Sequence, residues 1–144
     1  MSSEELAAFL GEERTVVCGT TGRGGFPHLM PLWYVVRDGE ICAWTYAASQ
    51  KVRNLERDAR ASLLVEAGEV YEELRGVMFT AEAVIERDAA RVAELGVELY
   101  TRYLGAIDDE VAAMIEHQAP KRVALRFVER SRTSWDHRKL AAAG

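Results

Sequence analysis

Residues 44–60, WTYAASQKVRNLERDAR, decide how this chain is read. The stretch begins as the end of an apolar run. It passes through Ala47, Ala48 and Ser49 into a short basic helix over about Gln50–Arg57. Thr45, Ser49, Lys51, Arg53 and Asn54 lie close together in sequence. Hydroxyls beside cations at a strand-to-helix junction suit a phosphate. The helix start offers free backbone N–H groups and the positive end of its dipole. Lysine adds a point charge and arginine a planar fork. A second reading stands beside this one. Basic helical turns are common on protein surfaces, and these residues also describe a solvated face. In both readings Val52 and Leu55 are spaced to meet a core, while Lys51, Arg53, Asn54 and Arg57 point elsewhere.

The flanking sequence is strand-like. Upstream, TVVCGTT (Thr15–Thr21) is rich in β-branched residues, and the glycines of GRGG (22–25) make a turn. No GxxxxGK[ST] pattern accompanies them, so the turn reads as a hairpin rather than a phosphate loop. FPHLMPLWYVVR (Phe26–Arg37) is a second strand, and Pro27 and Pro31 remove two ladder donors from it. Such a strand lies at an edge, at a bulge or along an open site. Asp38-Gly39 is a hairpin signal, and EICAWTY (Glu40–Tyr46) is the third strand. Downstream, ASLLVEA (Ala61–Ala67) and GVMFTAEAVIE (Gly76–Glu86) are strands, joined by a loop that carries Tyr71. Amphipathic helices follow over about Ala89–Tyr103 and Asp108–Gln118. VALRFVER (Val123–Arg130) closes the set, and SRTSWDHRKL reads as a tail of mixed polarity. A short helix near Ser3, with Leu6, Phe9 and Leu10 on one face, precedes everything. Hairpins dominate and no βαβ alternation occurs, which excludes a Rossmann domain. The expected fold is mainly β (α+β): a six-stranded antiparallel split β-barrel with peripheral helices.

At 144 residues the chain reads as one domain, residues 1–144. A chain of this length buries roughly 70% of its unfolded surface and needs no staples. A net charge of −5 argues against a general nucleic-acid binder. No run reaches the length of a membrane span. The acidic start MSSEELAAFLGEER lacks a signal-peptide layout, and the expected location is the cytoplasm. Cys18 and Cys42 sit in apolar runs without metal-ligand spacing and read as buried reduced thiols. If their strands are neighbours, a disulfide stays open. His28, His117 and His137 are too scattered for a zinc site.

In four segments the sequence resembles the FMN-binding split-barrel superfamily, the pyridoxamine 5′-phosphate oxidase-like proteins. The segments are VVCGTTGRGGFPHLMPLWYVV, ICAWTYAASQKVRNLERDARASLLVE, GEVYEELRGVMFTAEAVI and VALRFVERSRTSWDHRKL. The most specific pattern is T-x3-S-x-K-x2-N-L-x2-D-x-R between two strands. Within the superfamily the chain looks most like the coenzyme F420-dependent reductases. The tail reads Asp136-His137-Arg138, without the R-x-H substrate motif of pyridoxamine-phosphate oxidases.

That resemblance implies a homodimer with a cofactor in a groove at each subunit interface. It implies that Thr45, Ser49 and Lys51, with Arg53 and Asn54, hold the cofactor phosphate. It also implies that the backbone of Met30, Pro31, Leu32 and Trp33 lies along the ring system. The implied cofactor is coenzyme F420, with FMN as the alternative. The implied activity is hydride transfer between reduced deazaflavin and an electron-poor small molecule such as an enone, a quinone or a tetrapyrrole. A non-catalytic F420- or flavin-binding role is a further alternative. His28, Tyr46 and Tyr71 are candidates for the substrate pocket, and no residue is singled out as catalytic. Arg57 and Arg60 stay open between the anionic cofactor tail and plain solvent.

Overall fold

The computed structural model describes the backbone of residues 1–143 and the side chains of residues 1–140. A helix α1 (Ser3–Glu12) leads into strand β1 (Thr15–Thr21) and, after a turn at Arg23–Gly25, strand β2 (Pro27–Trp33). Strands β3 (Val35–Arg37) and β4 (Glu40–Tyr46) form the next hairpin, followed by helix α2 (Gln50–Arg57). Strands β5 (Arg60–Ala67) and β6 (Arg75–Glu86) precede helices α3 (Ala89–Leu104) and α4 (Asp109–Gln118). Strand β7 (Arg122–Asp136) and helix α5 (Arg138–Ala143) complete the described chain.

All pairings are antiparallel, in the order β2-β1-β5-β6-β7-β4-β3. The two strands at the ends of this order are adjacent in sequence, so the sheet curls back towards itself as a split half-barrel. Seven strands stand where the sequence suggested six, because FPHLMPLWYVVR divides at Tyr34. That side chain is fully buried, and its hydroxyl donates to the Leu10 carbonyl at 2.5 Å. The Tyr34 N–H leaves the ladder and donates to the Tyr103 hydroxyl at 3.1 Å. Pro27 and Pro31 lie on β2, the end strand of the order, where a missing donor costs no ladder bond.

The expected tail is the second difference. β7 does not stop at Arg130 but runs to Asp136, pairing Ser131–Asp136 with Arg75–Thr80. A bulge between Thr80 and Ala81 leaves Arg130 as the extra residue. The polarity of SRTSWD belongs to a strand with an exposed face. The first helix begins at Ser3, as the sequence suggested. Ser2 caps it and makes a capping box with Glu5, and the helix runs through Gly11 to Glu12.

Alternation puts one row of side chains inside the curl. Val16, Cys18, Leu63, Val65, Val77, Phe79, Leu125 and Phe127 form this core, with Phe9 and Leu10 of α1 and Val52 and Leu55 of α2. A second core lies on the other face of β4, where Cys42 and Trp44 meet Val92, Leu95, Leu99 and Ile115 of α3 and α4. Gly96 permits that contact. A Cβ there would meet the Trp44 ring at 2.5 Å. The two cysteines belong to different cores and are free and buried, so the disulfide left open by the sequence does not form. Burial pushes each thiol up to about 11. No helix among the described residues is long and apolar enough to cross a membrane.

Candidate functional site

Strand β4 ends where α2 begins, and the candidate phosphate residues sit at that corner. Ser49 is the N-cap of α2, its hydroxyl accepting from the Val52 N–H at 3.4 Å. Thr45 points to the inner side of β4, between outward-facing Trp44 and Tyr46. Lys51 turns inward as well, and its ammonium donates to Thr45 Oγ1 at 2.7 Å. The lysine is only 5% exposed. Among the described residues it belongs to none of the ion pairs. Desolvation therefore depresses its pKa. The buried Cys18 group opposes that shift, and the charge of Arg122 adds to it. A buried cation held by one neutral hydroxyl is costly unless an anion arrives.

Asn54 lies on the same helix and is 0% exposed. Its amide donates to Thr20 Oγ1 at 3.0 Å, tying α2 to β1. Its carbonyl accepts from Gln50 at 2.8 Å and Arg57 at 2.9 Å. Arg57 also donates to the Thr21 carbonyl at 3.1 Å. Arg53 is exposed, as is Arg60, which is ion-paired with Asp58 at 2.7 Å.

On β2, His28, Met30 and Leu32 stand opposite Thr20, Cys18 and Val16 and share their face. His28 Nδ1 is buried without a partner. That ring nitrogen lies on the strand beside Thr20. Pro31 and Trp33 take the other face. The Trp33 ring stacks on Tyr103 of α3 at 4.3 Å, so it makes a wall between β2 and that helix. Tyr46 is exposed on the outer side of β4, under the guanidinium of Arg122 at 4.0 Å. Tyr71 belongs elsewhere: its ring packs on His137 at 4.6 Å, and His137 Nδ1 lies 2.8 Å from the Tyr71 carbonyl. The structure thus brings Thr45, Ser49, Lys51 and Arg122 to one end of the curl, places His28 on β2 at the far end of the strand order, and leaves Tyr71 in a separate cluster.

Sequence reasoning passed over Arg122 because it placed the start of the last strand one residue later. The only signal was the cation pair Lys121-Arg122 at a strand start. Two grooves on the outer face of the sheet were likewise illegible. One, of about 680 Å³, is lined by Thr21, Pro27, Leu29, Ser62, Thr80 and Arg130 among others. The other, about 340 Å³ and almost wholly apolar, is lined by Val17, Leu29, Leu64, Met78 and Trp135 among others. The described residues contain no cluster of three or more groups able to hold a metal.

No curated protein matches the sequence significantly. Among solved structures, a conserved hypothetical protein of Mycobacterium tuberculosis shares 45% identity. The match covers 98% of this chain and 88% of that one, with a TM-score of 0.90. The heme storage protein of Vibrio cholerae has the same fold at 17% identity and TM-score 0.71, with 93% of each chain covered. An F420 reductase also shares it, at 15% identity and TM-score 0.71, covering 88% of this chain and 94% of that one. The sequence profile described as pyridoxamine 5′-phosphate oxidase matches residues 2–135. With nearly the whole chain matched and the split half-barrel in place, this protein belongs to the pyridoxamine 5′-phosphate oxidase family.

Proposed function

We propose that the protein binds a phosphate-bearing deazaflavin, coenzyme F420, with FMN as the alternative, and serves as a hydride-transferring oxidoreductase in the cytoplasm. The observation that carries the reading is Lys51, a buried ammonium with a threonine hydroxyl beside it and no carboxylate. A phosphate oxygen supplies the missing charge. Thr45 and Ser49 add hydroxyls, and the start of α2 adds N–H groups and the favourable end of the dipole. In this reading Asn54 keeps α2 in register with β1 and does not touch the cofactor. Arg53 lies outside, where it meets the solvent side of the ligand. The choice of F420 over FMN rests on the resemblance of the motif residues and on the absence of an R-x-H tail motif.

When bound, such a cofactor supplies the hydride, the step that protein side chains cannot perform. The chain's own part is to bind, orient and exclude water. The backbone of Met30, Pro31, Leu32 and Trp33, on a strand with two prolines and a free edge, gives a flat ring an open surface. His28, with its unpartnered Nδ1 on the inner face of β2, is the polar side chain offered to an acceptor, and Tyr46, on the outer side of β4, serves only an acceptor that reaches that side. Tyr71 stays a candidate only if a second subunit brings a site to it. That second subunit is part of the proposal. Leu29, 64% exposed, and Met78, 39% exposed, stand over the apolar groove and want cover.

Purified protein tests the reading. A colourless preparation that quenches F420 fluorescence with micromolar affinity, binds FMN more weakly and oxidises reduced F420 with enones, quinones or tetrapyrroles is the expected result. A yellow preparation with tightly held FMN would move the assignment to the flavin alternative. F420 binding without turnover would leave a storage role. Binding of neither cofactor would end the proposal.

A further inference from the structure

The inner face of β4 holds the lysine, but the outer face of the same strand end holds a second cation in an unusual state. Arg122 stands directly across from Tyr46 in the β4–β7 pairing. Its guanidinium lies 4.0 Å from the centre of the Tyr46 ring and 4.5 Å from that of Trp44. Aromatic stacking fixes the plane of the guanidinium and leaves its edge to make hydrogen bonds. Yet Nε of Arg122 is buried with no partner, and no carboxylate pairs with the group among the described residues. Its surroundings are basic. Lys121 precedes it, with its ammonium 3.4 Å from His117 Nε2, and the charge of Arg122 is felt at Lys51. The Lys121 carbonyl accepts from the Ala47 N–H at 2.9 Å, which locks this corner to the turn before α2.

Charge density of one sign, a pre-aligned guanidinium and an orphaned donor together describe a receptor for an anion. We infer that Arg122, clamped by Trp44 and Tyr46, is a second anion subsite, distinct from the one at Lys51 and separated from it by the width of β4. It takes a carboxylate or phosphate whose planar group of oxygens accepts from Nε and a terminal nitrogen. The ligand is either a carboxylate on the tail of the cofactor held at Lys51, reaching around the end of β4, or an acidic group on the acceptor. The first source rests on the proposed cofactor reading; the subsite itself does not.

The side-chain Nε–H resonance of Arg122, assigned with Arg122→Lys, reads the site directly. Titration of the full chain with γ-glutamylglutamate and with inorganic phosphate is expected to move this resonance saturably, and to do so also in Lys51→Ala. An unmoved resonance at tens of millimolar of both anions would overturn the inference. So would a resonance that moves only on Gln118→Leu, because Arg122 would then be paired in solution with the Gln118 carbonyl, which is itself buried and unpartnered. Two further arms identify the source. Loss of about tenfold in F420 affinity on Arg122→Gln, with FMN affinity unchanged, assigns the cofactor tail. An unchanged F420 affinity with a KM raised about tenfold for a carboxylated acceptor, but not for its neutral isostere, assigns the acceptor. A response of Arg122 to the anions in a protein that binds neither F420 nor FMN would keep the subsite and refute the cofactor reading.

Discussion

At the scale of single residues, Lys51 carries two opposed roles. Without an anion it is a buried charge and a cost to the fold; in the proposed reading, an anion makes it the anchor. Its folded pKa lies below its usual value, so the protonated form is disfavoured in the native state. The sign follows from linkage. The penalty is fully present below the folded pKa and is relieved as pH rises from there towards the unfolded value near 10.5. Lys51→Met should therefore stabilise the ligand-free protein, by about 1–3 kcal/mol at neutral pH, while abolishing phosphate-dependent binding. Urea denaturation of both forms near pH 7 and again near pH 10 measures this, and the gap should narrow at the higher pH. A Lys51→Met protein less stable than wild type at pH 7 would mean that the ammonium has a partner in the free state. Lys51, Thr45 and Ser49 were readable from sequence because one turn of helix after a strand holds them together. Asn54 was read with them as a phosphate candidate, but its burial was not readable. Its enclosure against Thr20 depends on a contact 34 positions away in sequence. Arg122 escaped notice for the same reason, since its significance arises only across the β4–β7 pairing.

Elements show the same division between local and long-range information. The span of α2, Gln50–Arg57, was legible to the residue because its cap and its apolar pair are local. The break at Tyr34 was not, because it depends on Leu10 and Tyr103 arriving from two other elements. The extent of β7 was hidden too. Polar SRTSWD looks like a tail until β6 is known to run alongside it. The packing of α3 on β4 gives a sharp test of the second core. Gly96 lies against Trp44 and Ile115, and a methyl group there has no room. Gly96→Ala should cost about 1–3 kcal/mol despite the better helix propensity of alanine, because overpacking outweighs it. Thermal denaturation with near-UV circular dichroism of Trp44 checks this. A stabilised variant would show that α3 shifts freely on the sheet.

For the whole molecule, the composition and hairpin order pointed to an antiparallel half-barrel, and the family match agrees. What one chain's sequence does not show is which side chains share the outer surface. Pairing of the strands supplies that. Val17, Leu64, Met78 and Thr133 form one cross-strand row on the outer surface, and Leu29, Gly19, Ser62 and Thr80 the next. Gly19 leaves room for Leu29 to lie across β1, where a Cβ would come within 3.1 Å of that side chain. If this face is the interface of the proposed homodimer, Leu29→Glu with Met78→Glu should halve the mass seen by light scattering. The circular dichroism spectrum should not change, because both side chains point away from the core. A doubly substituted protein that remains dimeric would place the interface elsewhere. Cofactor affinity should fall when dimerisation is lost, since the ligand groove is proposed to need both subunits.

The most direct test of the account compares two ligands on two proteins. Coenzyme F420 and its phosphate-free riboflavin-like core are each titrated by fluorescence into wild type and Lys51→Ala. The prediction is a loss of about tenfold or more in F420 affinity on substitution, equivalent to the roughly 1.5–3 kcal/mol of a charge-assisted hydrogen bond, with no change for the phosphate-free core. Equal F420 affinity in the two proteins, or an equal loss for both ligands, would contradict the claim that Lys51 holds the phosphate.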